Sequence, residues 1–381
     1  MKKINIVYSG SQKDFYGKLA EELRRLLSER NVGEITVLSV NKELQNFVKE
    51  HKEEIFLLLD GSGALAKDLD DNYIFSDVEN VYDWRIKNTM FLPESYKELP
   101  QMKHLLTDFN EGKQIEEFGL GKYKQGSQFC QPEEKTTKWN RRKYDVLIPY
   151  GYLEFEPRKK QLKDNHTSQM ATVAKEVIKM LYAEELTYGE ALRRVLNWHG
   201  VKYTMEMERA LFYELRADIE FYLQTEMNNK FVKGLLEKGY HVAVTGTNWD
   251  IFAKDLTEEE QEYLHILRCK NEKEVQKAIS QSRFYWEPAW EKKSGVTYNM
   301  ANAMARGCLV LTSGGKNRLK SMAVEGGAST TGKKIAPLYA FVKKVLETKK
   351  LGESLSLKNV AYTTDRFAPE SFVAEFLKAL K

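Results

Sequence analysis

The residues with the most chemistry to offer lie between Trp286 and Gly315. A loop ending in Ser294 and Gly295 leads into a short helix whose first turn carries Thr297, Tyr298 and Asn299. A helix N-terminus presents backbone N–H groups without intrahelical partners and a partial positive charge, which together suit a phosphate or diphosphate. Gly295 permits close backbone approach, Thr297 and Tyr298 offer hydroxyl donors, and Lys292 and Lys293 add positive charge. The competing reading is an ordinary crossover helix of a parallel sheet, since helix N-termini are common.

Other residues carry single possibilities. Trp249, just after a strand end, can stack on a nucleobase or simply pack in the core or at the rim. Asp77 follows the short apolar segment Tyr73 to Ser76. It is a candidate base for a hydroxyl proton, or else the cap of a turn or helix. Asp60, at the end of the third strand, is the second candidate base. Asp68-Leu69-Asp70 is an acid-x-acid triplet of the kind that holds a metal on a diphosphate, but with 30% charged residues such triplets arise by chance. His104, His166, His199 and His241 lack partners at ligand spacing and His265 reads as structural, so no metal is expected. Gly10 stands alone after the first strand, without a G-x-G-x-x-G or a P-loop lysine, which argues against a nicotinamide dehydrogenase.

The elements that must position these residues alternate. Ile4 to Tyr8, Ile35 to Val40 and Ile55 to Leu59 read as strands, and Leu19, Leu23, Leu26 and Leu27 mark a helix. Thr89 to Leu92 and Leu105 to Asp108 read as further short strands, and polar Gly119 to Arg142 as the domain junction. Asp145 to Gly151 opens a second alternating unit, followed by a helical stretch from Ser168 to Lys238. His241 to Thr245, Phe284 to Trp286 and Cys308 to Thr312 continue it as strands. Strand–helix alternation predicts parallel, doubly wound sheets. The expected fold is α/β, two Rossmann-like domains facing a cleft, with residues 1–142 and 143–366 as the domains and 367–381 as a helix packing back across the junction.

A length of 381 residues suits two domains. The 59 Lys and Arg against 55 acidic residues leave a net charge of +4, spread without a basic stripe, so no nucleic-acid partner is expected. Basic clusters such as Arg141-Arg142-Lys143 and Arg158-Lys159-Lys160 lie beside acidic residues. Apolar runs such as Ile55 to Leu59 are far short of the roughly 20 residues that span a bilayer, and the first residues read as a strand rather than a signal peptide. Three scattered cysteines, Cys130, Cys269 and Cys308, form no disulfide framework and point to a reducing, cytoplasmic setting.

Asn302 to Gly307, followed by an apolar strand and Ser313 to Gly315, resembles the carboxyl-terminal domain of GT-B glycosyltransferases. Ser280, Phe284 to Trp286, Pro288, Gly295 and Asn302-Ala303-Met304 resemble more closely the spore-maturation-type (CgeB-like) family, as do Val242 to Trp249 and Asp145 to Gly151. The sequence departs from the wider fold in having Ser294 and Asn302 where many such enzymes carry glutamates. The resemblance implies transfer of a sugar from a nucleotide-sugar donor, UDP-linked, to a glycan, protein or small-molecule acceptor, with no metal and no cofactor beyond the donor. It implies a donor site on the second domain: Gly246 and Trp249 flanking the base, Asn302 at the ribose, Gly295, Thr297, Tyr298 and Asn299 at the diphosphate, and Gly151 as a further nucleotide-sugar-binding residue. The acceptor and the base, Asp77, would belong to the first domain. A nucleotide-sugar epimerase and an inactive nucleotide-binding protein of the same fold remain open at this point.

Overall fold

The computed structural model describes residues 2–11, 14–86, 92–130, 136–288, 295–313, 315, 318–321, 324–330, 334–348 and 350–381. The chain divides into two units. One is Met1–Gln131 with Val296–Ala301 and Asp365–Lys381; the other is Pro132–Gly295 with Asn302–Thr364.

The first unit holds a parallel sheet of β1 (Lys2–Tyr8), β2 (Gly33–Ser39), β3 (Ile55–Leu59), β4 (Val81–Trp84), β5 (Lys103–Leu106) and β6 (Lys122–Gln125), in the order β2-β1-β3-β4-β5-β6. Central strands covered on both faces read as continuous apolar runs, and Ile4, Ile6, Val7 and Phe56 to Leu59 are fully buried. The helix Phe15–Glu29 buries Leu19, Leu23, Leu26 and Leu27, the stripe that its spacing predicts. The C-terminal helix Pro369–Ala379 buries Phe372, Val373 and Phe376 in the same cluster, with Phe372 stacked on Trp84.

Strand β4 carries no apolar run because Asp83 sits inside it, fully buried. Its carboxylate accepts the Gly61 N–H at 2.7 Å and faces His104 Nδ1 at 3.0 Å, so the polar group is paired. The expected strand ending at Asp108 stops at Leu106. Asp108 instead caps the helix Phe109–Glu117, accepting the N–H groups of Asn110 and Glu111. Thr89, Met90 and Phe91, from the other expected strand, lie outside the described residues.

The second unit holds β7 (Tyr144–Ile148), β8 (Val242–Val244), β9 (Leu264–Ile266), β10 (Ser282–Glu287), β11 (Leu309–Thr312) and β12 (Gly327–Ser329), parallel throughout in the order β12-β11-β10-β7-β8-β9. Four helices separate β7 from β8: Phe155–Asp164, Ser168–Ala183, Tyr188–Trp198 and Met205–Leu236. Thr167, Thr187 and Thr204 cap the last three, Thr187 in a capping box with Glu190. The longest meets the sheet near its end, where Phe231 packs on Trp286 and Asn228 accepts the Trp286 indole N–H at 2.6 Å. The architecture is α/β, with two Rossmann-like units, as the alternation predicts.

Candidate functional site

In a doubly wound sheet, ligands bind outside the carboxyl ends of the strands where the strand order reverses. The first unit reverses between β1 and β3, and the second between β7 and β10. Each of these points is bridged by a tyrosine hydroxyl donating to a carboxylate.

At the first, Asp60 ends β3 with φ +52°. A side chain in that left-handed region costs about 1–2 kcal/mol, and the surroundings hold it there. Tyr16 donates to Asp60 Oδ2 at 2.5 Å and the Ile86 N–H to Oδ1 at 2.6 Å. Ser62 Oγ accepts the Ser9 N–H at 3.0 Å, tying the β1 and β3 loops together. Behind them lies a buried polar layer. Arg85 lies 3.6 Å from Asp83, and His104 joins Asp83 to the Leu120 carbonyl. Burial, and then the Asp60 charge, push the Tyr16 hydroxyl well above the ordinary tyrosine range, which keeps it a donor.

At the second, Tyr150 follows β7 and donates to Glu287 Oε2 at 2.5 Å. Glu287 ends β10 with only 6% of its surface exposed. Burial, then the Glu287 charge, raises the Tyr150 hydroxyl strongly. Tyr285 is raised for the same reasons. The Glu287 carbonyl accepts the Thr312 hydroxyl at 2.7 Å, which joins the end of β11 to the group.

The structure brings Gly151 and Gly246 together. Gly246 has φ +85°, and a Cβ there would lie 2.6 Å from the Gly151 nitrogen and 2.8 Å from its Cα. The Tyr152 N–H donates to the Thr247 carbonyl at 2.9 Å, so the loops after β7 and β8 pack backbone on backbone. Trp249 is 1% exposed. Its indole N–H donates to the Tyr150 and Thr245 carbonyls at 2.8 and 2.9 Å, and its ring packs with Tyr152 and Phe252.

The segment after Gly295, itself at φ +77°, divides between the units. Val296–Ala301 belongs to the first. There Thr297 Oγ1 accepts the Met300 N–H at 3.1 Å, capping the helix Tyr298–Ala305. Tyr298 lies in the apolar cluster, edge-on to Phe15, and Asn299 is exposed. Asn302 belongs to the second unit and is 2% exposed, with Arg306 donating to its carbonyl at 3.1 Å and to Oδ1 at 3.5 Å. Lys292, Lys293 and Ser294 lie outside the described residues.

Asp77 precedes β4 and its partner Lys52 precedes β3, so the pair sits at the amino edge of the first sheet. Asp77 is exposed, and the 2.7 Å hydrogen bond from Lys52 holds its carboxyl below the usual range. Asp68 is a turn residue whose Oδ1 accepts the N–H groups of Asp70 and Asn72. Among the described residues, no group of three or more His, Cys, Asp or Glu side chains is placed to hold a metal, and no helix is long and apolar enough to cross a membrane. Tyr16, Tyr150 and Glu287 escape the sequence reading. The available signal was a polar residue at the carboxyl end of a central strand.

Neither a protein-family model nor a curated protein matches the sequence. Solved structures match in fold. An alpha-glucosyltransferase in complex with UDP and a 13-mer DNA is 10% identical and aligns over 99% of this chain and 98% of that one, at a TM-score of 0.55. A glycosyltransferase from Rickettsia africae ESF-5 is 9% identical over 99% and 97% of the two chains, at 0.49. A DNA-modifying beta-glucosyltransferase is 11% identical over 99% of each, at 0.48. This chain therefore shares the fold of the alpha-glucosyltransferase, a pair of Rossmann-like units of the GT-B type.

Proposed function

We propose that the protein is a glycosyltransferase of spore-maturation type that moves a sugar from a UDP-linked donor to an acceptor hydroxyl without a metal. The observation that carries this is the pair of tyrosine–carboxylate bridges, one at each switch point, in a chain that shares its fold with an enzyme solved in complex with UDP. On this reading the second unit holds the donor, with Gly151 and Gly246 letting the strand-end loops approach it closely. Gly295, in the second unit, offers its backbone to the diphosphate so that leaving-group charge is met by hydrogen bonds, and variants of Thr297 and Asn299 test whether the next turn, grouped with the first unit, adds to it.

The first unit holds the acceptor, and Asp60, rather than Asp77, is the proposed base. Asp60 lies at the carboxyl edge, where substrates of such sheets bind, and Asp77 lies at the opposite edge. In an inverting transfer the acceptor oxygen bonds to the anomeric carbon, and the bond from that carbon to the diphosphate oxygen breaks. UDP leaves with the electron pair, and the hydroxyl proton passes to Asp60. Tyr16 and the Ile86 N–H hold the carboxylate in place.

A thermal-shift screen with nucleoside diphosphates and their sugars, in excess chelator, tests the donor half. UDP should raise the melting temperature most. No shift with any nucleotide, or a shift that needs manganese, overturns it. Incubation of labelled UDP-glucose with glycans, proteins, small alcohols and hydroxyl-bearing duplex DNA tests the acceptor half. Duplex DNA is included because the alpha-glucosyltransferase structure is a complex with a 13-mer DNA. The +4 charge, spread over the chain, favours the other three. Sugar epimerisation without an acceptor would instead favour an epimerase.

A further inference from the structure

We propose that the hydrogen bond from Tyr150 to Glu287 is a clasp that sets the donor-binding loops of the second unit, with Glu287 as a positioning residue. This rests on the reading of that unit as the donor holder. The two residues are 137 apart in sequence and end neighbouring strands on either side of the switch point. Tyr150 is held at both ends. Its hydroxyl donates to Glu287 at 2.5 Å, in the range of charge-assisted bonds, and its carbonyl accepts the Trp249 indole N–H at 2.8 Å.

From there the constraint spreads through backbone. Gly151, next in the chain, lies against Gly246, and Thr312 is tied to the Glu287 carbonyl. The ends of β7, β8, β10 and β11 are thus linked around Tyr150 and Glu287, and Tyr285 interacts with both. A buried carboxylate is costly, and an apolar pair of similar size would hold two strands together more cheaply. A carboxylate buried at the edge where ligands bind is better explained by positioning than by stability. Burial, and then the Glu287 charge, with Tyr285 beside them, raise the Tyr150 hydroxyl, which keeps it a donor.

The test uses the full chain. Tyr150→Phe removes one hydroxyl and leaves the ring, and Glu287→Gln keeps an acceptor oxygen while removing the charge. Titration calorimetry gives the Kd for UDP and UDP-glucose, and melting of the unliganded proteins gives Tm. Tyr150→Phe should weaken UDP binding about tenfold or more with Tm within a few degrees of the parent. Glu287→Gln should fall between, as partial rescue by a conservative side chain. If Glu287→Gln does not fold, Tyr150→Phe decides alone. A lowered Tm with parental Kd in the folded protein would make the pair merely structural and overturn the clasp. A parent that binds neither UDP nor UDP-glucose would overturn the donor reading, and the clasp with it.

Discussion

Replacing Gly246 by alanine tests the packing on which the second unit's site depends. The new Cβ meets two penalties. At φ +85° it sits in a region that costs an L-residue about 1–2 kcal/mol. It also lies 2.6 Å from the Gly151 nitrogen, a backbone atom that cannot rotate away, and relief of such overpacking costs about 1–3 kcal/mol more. The sum is about 2–5 kcal/mol, or roughly 5–20 °C for a unit of this size. Gly200 is the internal control. It too has positive φ, +65°, but an added Cβ there meets nothing within 4 Å, so Gly200→Ala carries the conformational penalty alone. Urea denaturation of the two variants, followed by tryptophan fluorescence and differential calorimetry, separates the contributions. Gly246→Ala should lose at least twice the free energy that Gly200→Ala loses. Its folded fraction should also bind UDP less tightly, because the displaced Gly151 loop carries Tyr150. Equal losses in the two variants would refute the argument that backbone contact between the loops fixes this site.

Three further outcomes are expected. Asp60→Asn should fold normally and lose about 10²-fold in transfer rate, whereas Asp77→Asn, at the exposed amino edge, should transfer at the parental rate; the opposite result would return the base to Asp77. Thr297→Val should lose about 1 kcal/mol of stability with its helix cap, and Thr297→Val and Asn299→Ala should each weaken UDP binding by about 1–3 kcal/mol. Thr297→Ser should restore both properties, and parental binding by both variants would leave this turn an ordinary helix start. Burial, and then the neighbouring His241, hold the His265 imidazole below its usual 6.5, with Asp145 opposing them. The unfolded chain therefore takes up this proton first as pH falls, so the stability it confers is complete above about pH 6.5 and is lost below. His265→Gln should flatten the fall in urea midpoint between pH 7.5 and 5; an unchanged slope would assign that fall to other groups.

What was legible in the sequence follows from which signals are local. The central strands announce themselves because burial on both faces demands unbroken apolar runs, as in Phe56 to Leu59. Strand β4 does not, because its central Asp83 is satisfied by Gly61 and His104, and His104 lies 21 residues away. The polar edge strand β6, Lys122–Gln125, hides for a simpler reason, since an edge needs no apolar run. In the site, the glycines were legible as turn residues, but the reason for Gly246, contact with Gly151, exists only once β7 and β8 are neighbours. Trp249 was legible as an aromatic at a strand end, while its burial and the spending of its N–H on Tyr150 were not. The two carboxylates have the same explanation. Asp60 and Glu287 each end a strand, a local fact, yet their partners Tyr16 and Tyr150 are chosen by strand order, a property of the whole sheet. The return of the chain past β1 to form β3, and past β7 to form β10, turns two unremarkable strand-end acids into the floors of two crevices.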